Sequence, residues 1–182
     1  MLGNLRGTRK LAVIGIGADL REDDAVGNVL ARELINEVEA NHHPGPGTDH
    51  EHSADEYVKI GGLLVLNATV APEQYITLVK GFAPDTVLII DAAVMGKHAR
   101  SGDIAFIDAA ELDASTFSTH TISLRYFIEI LYTLGLKARF LIVGIQPEKL
   151  GYGEELSQAV DETKVFLKSL LLRYIKQTFL KS

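Results

Sequence analysis

The chain has 182 residues, of which 47% are hydrophobic and 23% are charged. This is the size of one domain with a sizeable apolar core, and the balance is typical of soluble globular proteins. A net charge of −6 argues against nucleic-acid binding, because phosphate neutralisation needs clustered Lys and Arg side chains. No apolar run reaches the ~20 residues of a membrane span, so no membrane insertion is expected. The chain has no cysteine, which excludes thiol nucleophiles and disulfides.

The apolar periodicity predicts strands alternating with helices along the chain. Strands are expected at 10–16, 62–66, 86–91, 103–107 and 138–145, and helices at 24–39, 72–82, 120–135 and 154–179. The connector before the fourth predicted strand is too short for a helical crossover, so this strand is expected to be antiparallel to its neighbour or to lie at an edge. The pattern predicts a single three-layer α/β/α domain over 1–182. Its sheet is expected to be twisted and mostly parallel, with about five strands and helices on both faces.

Polar side chains collect at the predicted carboxyl ends of the strands, where ligands bind in open α/β sheets. Asp23 and Asp24 follow the first strand, Asp91 ends the third, and His120 starts the helix at 120–135. If the first and third strands are neighbours, Asp24, Asp91 and His120 could converge. Two carboxylates and one imidazole suit a borderline divalent metal. Structural alternatives stay open, because Asp24 could cap a helix, Asp91 could bind loop amides and His120 could cap or pack.

The segment Gly15-x-Gly17 has the start of a dinucleotide-binding turn, but Leu20 stands where the fingerprint requires a third glycine. Four acidic residues in the loop at 18–24 would repel an anion and attract a cation, so no nucleotide is expected. The Gly-x-Ser-x-Gly and His-Glu-x-x-His patterns are both missing, which argues against a serine-hydrolase elbow and a zinc-peptidase helix.

Five short motifs then occur in a defined order. They are G-x-G followed by D-D-x-x-G at 15–27, A-P-E at 71–73, D-A-x-x-x-G at 91–96, S-T-H at 118–120 and G-I-Q-P at 144–147. With these motifs the chain resembles the [NiFe]-hydrogenase maturation endopeptidases, above all the type that processes the hydrogenase 3 large subunit.

This resemblance implies a cytoplasmic endopeptidase that removes the C-terminal extension of a [NiFe]-hydrogenase large-subunit precursor after nickel insertion. The family's nickel-contacting residues fall on Asp24, Asp91 and His120, which are therefore the predicted metal and catalytic residues. The nickel is expected to be carried by the substrate, so the isolated protein is expected to be metal-free. The implied partner is the precursor itself.

The chain departs from the family pattern at two places that matter. Asn67 stands where relatives usually have Asp, and an amide cannot act as a general base. A non-proteolytic metal-binding maturation module on the same fold is therefore an alternative, and a flavodoxin-like binding protein is a third that the acidic loop disfavours.

The segment 40–56, expected to be a loop insertion, carries His42, His43, His50 and His52. A surface insertion and an accessory nickel site are both open interpretations.

Overall fold

The fold is that of a computed structural model, which describes residues 2–41, 50–53, 56–108 and 121–180. Within these ranges the strands are β1 Leu11–Gly15, β2 His50–Ser53, β3 Tyr57–Ile60, β4 Leu63–Asn67, β5 Thr86–Ala92, β6 Ile104–Asp108 and β7 Arg139–Ile145. The α-helices are α1 Val26–Asn41, α2 Ile76–Phe82, α3 Thr121–Thr133 and α4 Gln158–Thr178. Short 3-10 turns at Leu2–Leu5, Glu22–Ala25 and Pro72–Tyr75 complete the described elements.

All these strands form one sheet in the order β2-β3-β4-β1-β5-β7-β6. The central strands β4, β1, β5 and β7 are parallel, while β3, β2 and β6 pair antiparallel with their neighbours. The residues of β1, β4 and β5 are buried throughout, as expected for parallel strands covered on both faces. The predicted antiparallel or edge position of the strand near 103–107 is confirmed, because β6 has both properties.

Helices cover both faces of the sheet and give the predicted three layers. Alternate residues of β1 point in opposite directions, so Leu11 and Val13 pack in one apolar cluster and Ala12 and Ile14 in the other. The first cluster includes Leu30 and Leu34 of α1 together with Leu167 and Leu171 of α4. The second includes Val79 and Phe82 of α2 together with Leu124 and Phe127 of α3. Among the described helices, none has the length and apolar character needed to cross a membrane.

The predicted loop at 40–56 is wrong in part. Helix α1 continues to Asn41, and residues 50–53 form β2 at the edge of the sheet, where it pairs with β3. Strand β2 was missed because its sequence HEHS has no apolar residue, and β3 because its alternation, with Val58 and Ile60 buried, spans only four residues. The sheet therefore has more strands than the approximately five expected. His42 and His43 lie outside the described residues, and His52 Nδ1 is 3.5 Å from Glu39 Oε1.

Two predicted helix boundaries also differ. The last helix begins at Gln158 and not near residue 154, because Ser157 adopts an extended backbone conformation at its N-cap. The first helix is preceded by the 3-10 turn Glu22–Ala25, which contains both Asp23 and Asp24. The carboxylates of the acidic pair therefore lie in a tight turn ahead of α1, close to the end of β1.

Candidate active site

The carboxyl ends of β4, β1, β5 and β7 lie along the same edge of the sheet because these strands are parallel. Strand β1 lies between β4 and β5, so the connections after β1 lead to strands on both of its sides. The strand order therefore reverses at β1. This is the position at which open α/β sheets bind ligands. The condition for Asp24 and Asp91 to come close, that the first and third predicted strands are neighbours, is met by the pairing of β1 with β5.

Glycines allow α1 to start against the ends of β1 and β5. A β-carbon on Gly27 would lie 2.2 Å from the carbonyl oxygen of Ile90 and 2.3 Å from that of Ile16. A β-carbon on Gly17 would lie 2.1 Å from the carbonyl oxygen of Asp24. Real β-carbons do not approach backbone this closely, so the G-x-G and D-D-x-x-G motifs serve close packing of the turn.

Asp24 is buried in the 3-10 turn, with 3% of its surface exposed. Its Oδ2 accepts a hydrogen bond of 3.2 Å from the backbone N–H of Ala18, which holds the carboxylate beside the loop that follows β1. The turn that carries Asp24 also contacts β5. The structure therefore brings the elements that carry Asp24 and Asp91 together.

Asp91 lies in the central part of the sheet, fully buried near the carboxyl end of β5. Its backbone is in register with Gly144 of β7. Alternation along β5 places the Asp91 side chain on the same face as Ile89, which belongs to the cluster that α3 covers. His120 lies outside the described residues, and α3 begins at the next position, Thr121.

Asp23 has a different role from its neighbour. It is completely buried, and its Oδ2 accepts hydrogen bonds from Glu148 N–H, Lys149 N–H and Ser157 Oγ at 2.8 to 2.9 Å. Its Oδ1 accepts a 2.6 Å hydrogen bond from Ser157 N–H. Asp23 therefore ties the loop between β7 and α4 to the turn before α1.

The acidic residues after β1 do not form a single cation site. Glu22 Oε2 accepts a 2.7 Å hydrogen bond from Gly151 N–H, and Asp19 pairs with Arg32 at 2.7 Å. Arg21 donates to the carbonyl oxygen of Leu150 at 3.1 Å, which occupies a side chain that could otherwise face an anion. Contact of Asp24 with a metal stays a prediction, because Asp24 itself accepts a hydrogen bond from Ala18 N–H.

The described residues contain no group of three or more His, Asp or Glu side chains arranged to hold a metal ion. The predicted set of Asp24, Asp91 and His120 includes one residue outside this part of the chain, so its role in metal contact stays a prediction. Asp24 and Asp91 supply hard oxygen donors, which fit a divalent cation that reaches this edge of the sheet.

A cleft of about 640 Å³ lies on the β4 side of this site. Residues from distant parts of the chain line it, namely Asp19, Leu20, Val29, Arg32, Glu56, Asn67 and Glu154. Three carboxylates face one guanidinium there, so the cleft favours cations. The sequence did not reveal this cleft because Glu56 and Glu154 meet the loop after β1 only through the strand order of the sheet.

The comparisons with known proteins agree with one another. A family model described as hydrogenase maturation protease matches residues 51–173. A putative hydrogenase maturation protease of Methanocaldococcus jannaschii is 30% identical over 152 residues, covering 84% of this chain and 80% of the relative. The hydrogenase 3 maturation protease of Escherichia coli K12 is 29% identical over 104 residues, covering 56% of this chain and 64% of the relative.

Solved structures extend the similarity to almost the whole chain. The crystal structure of a [NiFe] hydrogenase maturation protease HycI from Thermococcus kodakarensis is similar with a TM-score of 0.73 and 27% identity. The alignment covers 94% of this chain and 96% of the other. The similarity in fold therefore includes the sheet edge that carries Asp24 and Asp91.

Proposed function

Because this chain belongs to the hydrogenase maturation protease family, we propose that it removes the C-terminal extension of a [NiFe]-hydrogenase large-subunit precursor after nickel insertion. Membership of the family makes the chain a peptidase of hydrogenase maturation. The observation that supports the more specific proposal is the burial of Asp24, in the turn ahead of α1, and of Asp91, near the carboxyl end of β5, in elements that contact each other. Two carboxylates in that position are suited to contact a cation that the precursor carries.

In this proposal the nickel belongs to the substrate, and Asp24, Asp91 and His120 contact it when the precursor docks. Nickel can polarise a carbonyl group or a water molecule, and it can also act as a template that orients the tail. The protein's own contribution is to hold its carboxylates in fixed positions. The hydrogen bond from Ala18 N–H fixes Asp24, and the backbone pairing of β5 with β7 fixes Asp91.

Selectivity for the loaded precursor follows from the same arrangement. A nickel-free precursor brings no cation to Asp24 and Asp91, so it forms none of the metal contacts and binds less favourably. The loaded precursor completes the coordination and is held in place for cleavage. Cleavage would then take place only after nickel has been inserted into the precursor.

The direct test is to incubate the protein with nickel-loaded and nickel-free forms of the large-subunit precursor from the same organism. Removal of the extension is followed by mass spectrometry of the intact subunit. We expect cleavage of the loaded form and no cleavage of the nickel-free form over the same period. Equal cleavage of both forms would contradict recognition through nickel.

Asn67 favours the second candidate, a non-proteolytic metal-binding maturation module. It ends β4, lines the cleft beside the site and carries an amide that cannot take up a proton as a general base. The same incubation separates the two candidates. Binding of the loaded precursor without any cleavage would support the module and contradict the peptidase.

A further inference from the structure

Each of the parallel strands is followed by a loop that exposes one large apolar side chain. Leu20 follows β1, Val70 follows β4, Val94 follows β5 and Tyr152 follows β7. Tyr152 is 84% exposed, and the other three side chains are between 44% and 47% exposed. A single exposed apolar side chain is ordinary, but one on every loop of the same sheet edge is typical of a surface that meets another protein. We call these four residues the apolar rim.

Hydrogen bonds between the loops hold the apolar rim together. Gly17 N–H donates to the carbonyl oxygen of Thr69 at 3.0 Å, which joins the loops after β1 and β4. Gly153 N–H donates to the carbonyl oxygen of Leu20 at 3.1 Å, which joins the loops after β1 and β7. Met95 N–H donates to Gln146 Oε1 at 2.6 Å, which joins the loops after β5 and β7. The rim is therefore preorganised, and binding would lose little conformational entropy in these loops.

The cleft beside Asn67 continues the rim, because Leu20 belongs to both. Its walls carry the carboxylates of Asp19, Glu56 and Glu154 against the guanidinium of Arg32, which pairs with Asp19 at 2.7 Å. Two negative charges are left over when three carboxylates face one guanidinium. A cationic side chain of a partner would complement them, and an acidic one would be repelled.

We propose that the apolar rim and the acidic cleft together dock the substrate chain, and that they take a segment in which apolar side chains stand next to a lysine or arginine. This inference rests on the proposed function, since it assigns the recognition surface for the same precursor. A polypeptide that reaches Asp24 and Asp91 from outside must pass the loops that carry the rim. Apolar contact with the rim supplies affinity, and the cleft selects for positive charge.

The experiment measures the Kd for the nickel-loaded precursor and the kcat and KM of its cleavage. The variants are a combined Leu20→Ser, Val70→Ser and Tyr152→Ser protein and, separately, Glu154→Gln. We expect the combined variant to raise Kd and KM about tenfold or more with kcat within about twofold of wild type, since buried apolar anchors dominate protein interfaces. Glu154→Gln should raise KM at low ionic strength, and the difference should disappear in high salt.

Matched controls lie away from the rim. Phe166→Ser removes an apolar side chain that is 60% exposed on α4, and Glu162→Gln removes an exposed carboxylate from the same helix. Both should keep the wild-type Kd and KM, and thermal melting of every variant checks that it is folded.

The outcomes separate the two proposals. Rim variants that bind and cleave like wild type would overturn the docking surface alone. Wild-type protein that binds the loaded precursor but does not cleave it would contradict the peptidase proposal alone, because Kd still tests the rim. Wild-type protein that neither binds nor cleaves would contradict both.

Discussion

Asp23 and Asp24 are adjacent in sequence and buried to a similar degree, but their side chains make different contacts. Asp23 accepts its hydrogen bonds from the loop between β7 and α4, whereas Asp24 faces the loop after β1. A difference of one position in a tight turn points the two carboxylates in different directions. Substitution of each should therefore affect a different property of the protein.

Asp23→Ala is expected to lower the free energy of unfolding by about 2–4 kcal/mol, because it removes the acceptor of the buried Ser157 N–H and of the partly buried hydrogen bonds from Glu148 and Lys149 N–H. Urea denaturation measures this loss. Glu162→Gln, on an exposed part of α4, serves as the comparison and should change stability by less than about 0.5 kcal/mol. An Asp23→Ala protein as stable as wild type would show that water replaces the carboxylate at no cost.

Asp24→Asn and Asp91→Asn are expected to lower kcat/KM for the loaded precursor at least about 100-fold, which is a loss of about 2.7 kcal/mol of transition-state stabilisation. The amide keeps the size of the side chain but removes the negative charge that a cation needs. Asp85→Asn provides the control, since Asp85 precedes the same strand at the opposite edge of the sheet and binds Arg9 and Lys10 N–H. Wild-type cleavage by both Asn variants would show that these carboxylates do not contact the metal.

The sequence predicts those residues of the candidate site whose position follows from the alternation of strands and helices along the chain. Asp24 and Asp91 could be found because they follow long apolar strands whose carboxyl ends must lie on one edge. The cleft could not be found, because Glu56 and Glu154 belong to loops whose position depends on the order of the strands. The hydrogen bonds of Asp23 could not be found either, because their donors lie more than a hundred residues away in the chain.

At the scale of elements, α1 and α4 are joined by a partly buried ion-pair network. Lys164 Nζ lies 2.6 Å from Glu33 Oε1 and 2.9 Å from Asp161 Oδ1, and Lys168 Nζ lies 2.5 Å from Glu33 Oε2. Burial acts to raise the pKa of Glu33, but hydrogen bonds from Lys164 and Lys168 outweigh it and leave the pKa below its usual range. Burial acts to lower the pKa of Lys164, but hydrogen bonds from Glu33 and Asp161 leave it raised.

These shifts predict the pH dependence of the network. Glu33 has a lowered pKa in the folded state, so its contribution is present above the ordinary glutamate pKa of 4.5 and is lost as the pH falls through the folded pKa. Lys164 has a raised pKa, so its contribution is complete below the ordinary lysine pKa of 10.5 and is lost as the pH rises through the folded pKa. The network should therefore stabilise the protein most between these two limits.

Lys164→Met is expected to lower the free energy of unfolding by about 1–2 kcal/mol near neutral pH, where both partners are charged. The difference from wild type should shrink in strong acid and in strong alkali. Urea denaturation across pH measures it, with Lys176→Met on the exposed face of α4 as the control. A constant difference at every pH would show that Lys164 acts through packing of its aliphatic chain.

The strands and helices that bury the most apolar surface are the ones that the sequence predicts best. The strands near 86–91 and 138–145 and the helix near 24–39 carry apolar residues at the period of their structure, and each was found. Strand β2 lies at the edge and has no apolar residue, and the alternation of β3 beside it spans only four residues, so their sequences give little signal. Helix α4 starts later than expected because charged residues at 154–155 are common both before a helix and within its first turn.

At the scale of the whole molecule, both apolar clusters depend on one sheet. Leu11 and Val13 contribute to one cluster and Ala12 and Ile14 to the other, so neither helix layer has a separate set of strands. We expect a single cooperative unfolding transition, as for one domain. Scanning calorimetry should give equal calorimetric and van't Hoff enthalpies. Two resolved transitions would show that one helix layer melts independently of the other.

The hydrogen bonds to Asp23 also bear on when the peptidase can fold its site during its own synthesis. Its carboxylate lies 125 residues before Glu148 and 134 residues before Ser157 along the chain. The turn that carries Asp24 is made by the ribosome more than a hundred residues before its partner loop. A nascent chain that stops before residue 148 lacks every one of these donors, so its turn forms none of these hydrogen bonds. Such a chain is expected to have no peptidase activity until the loop at 148–157 has been made.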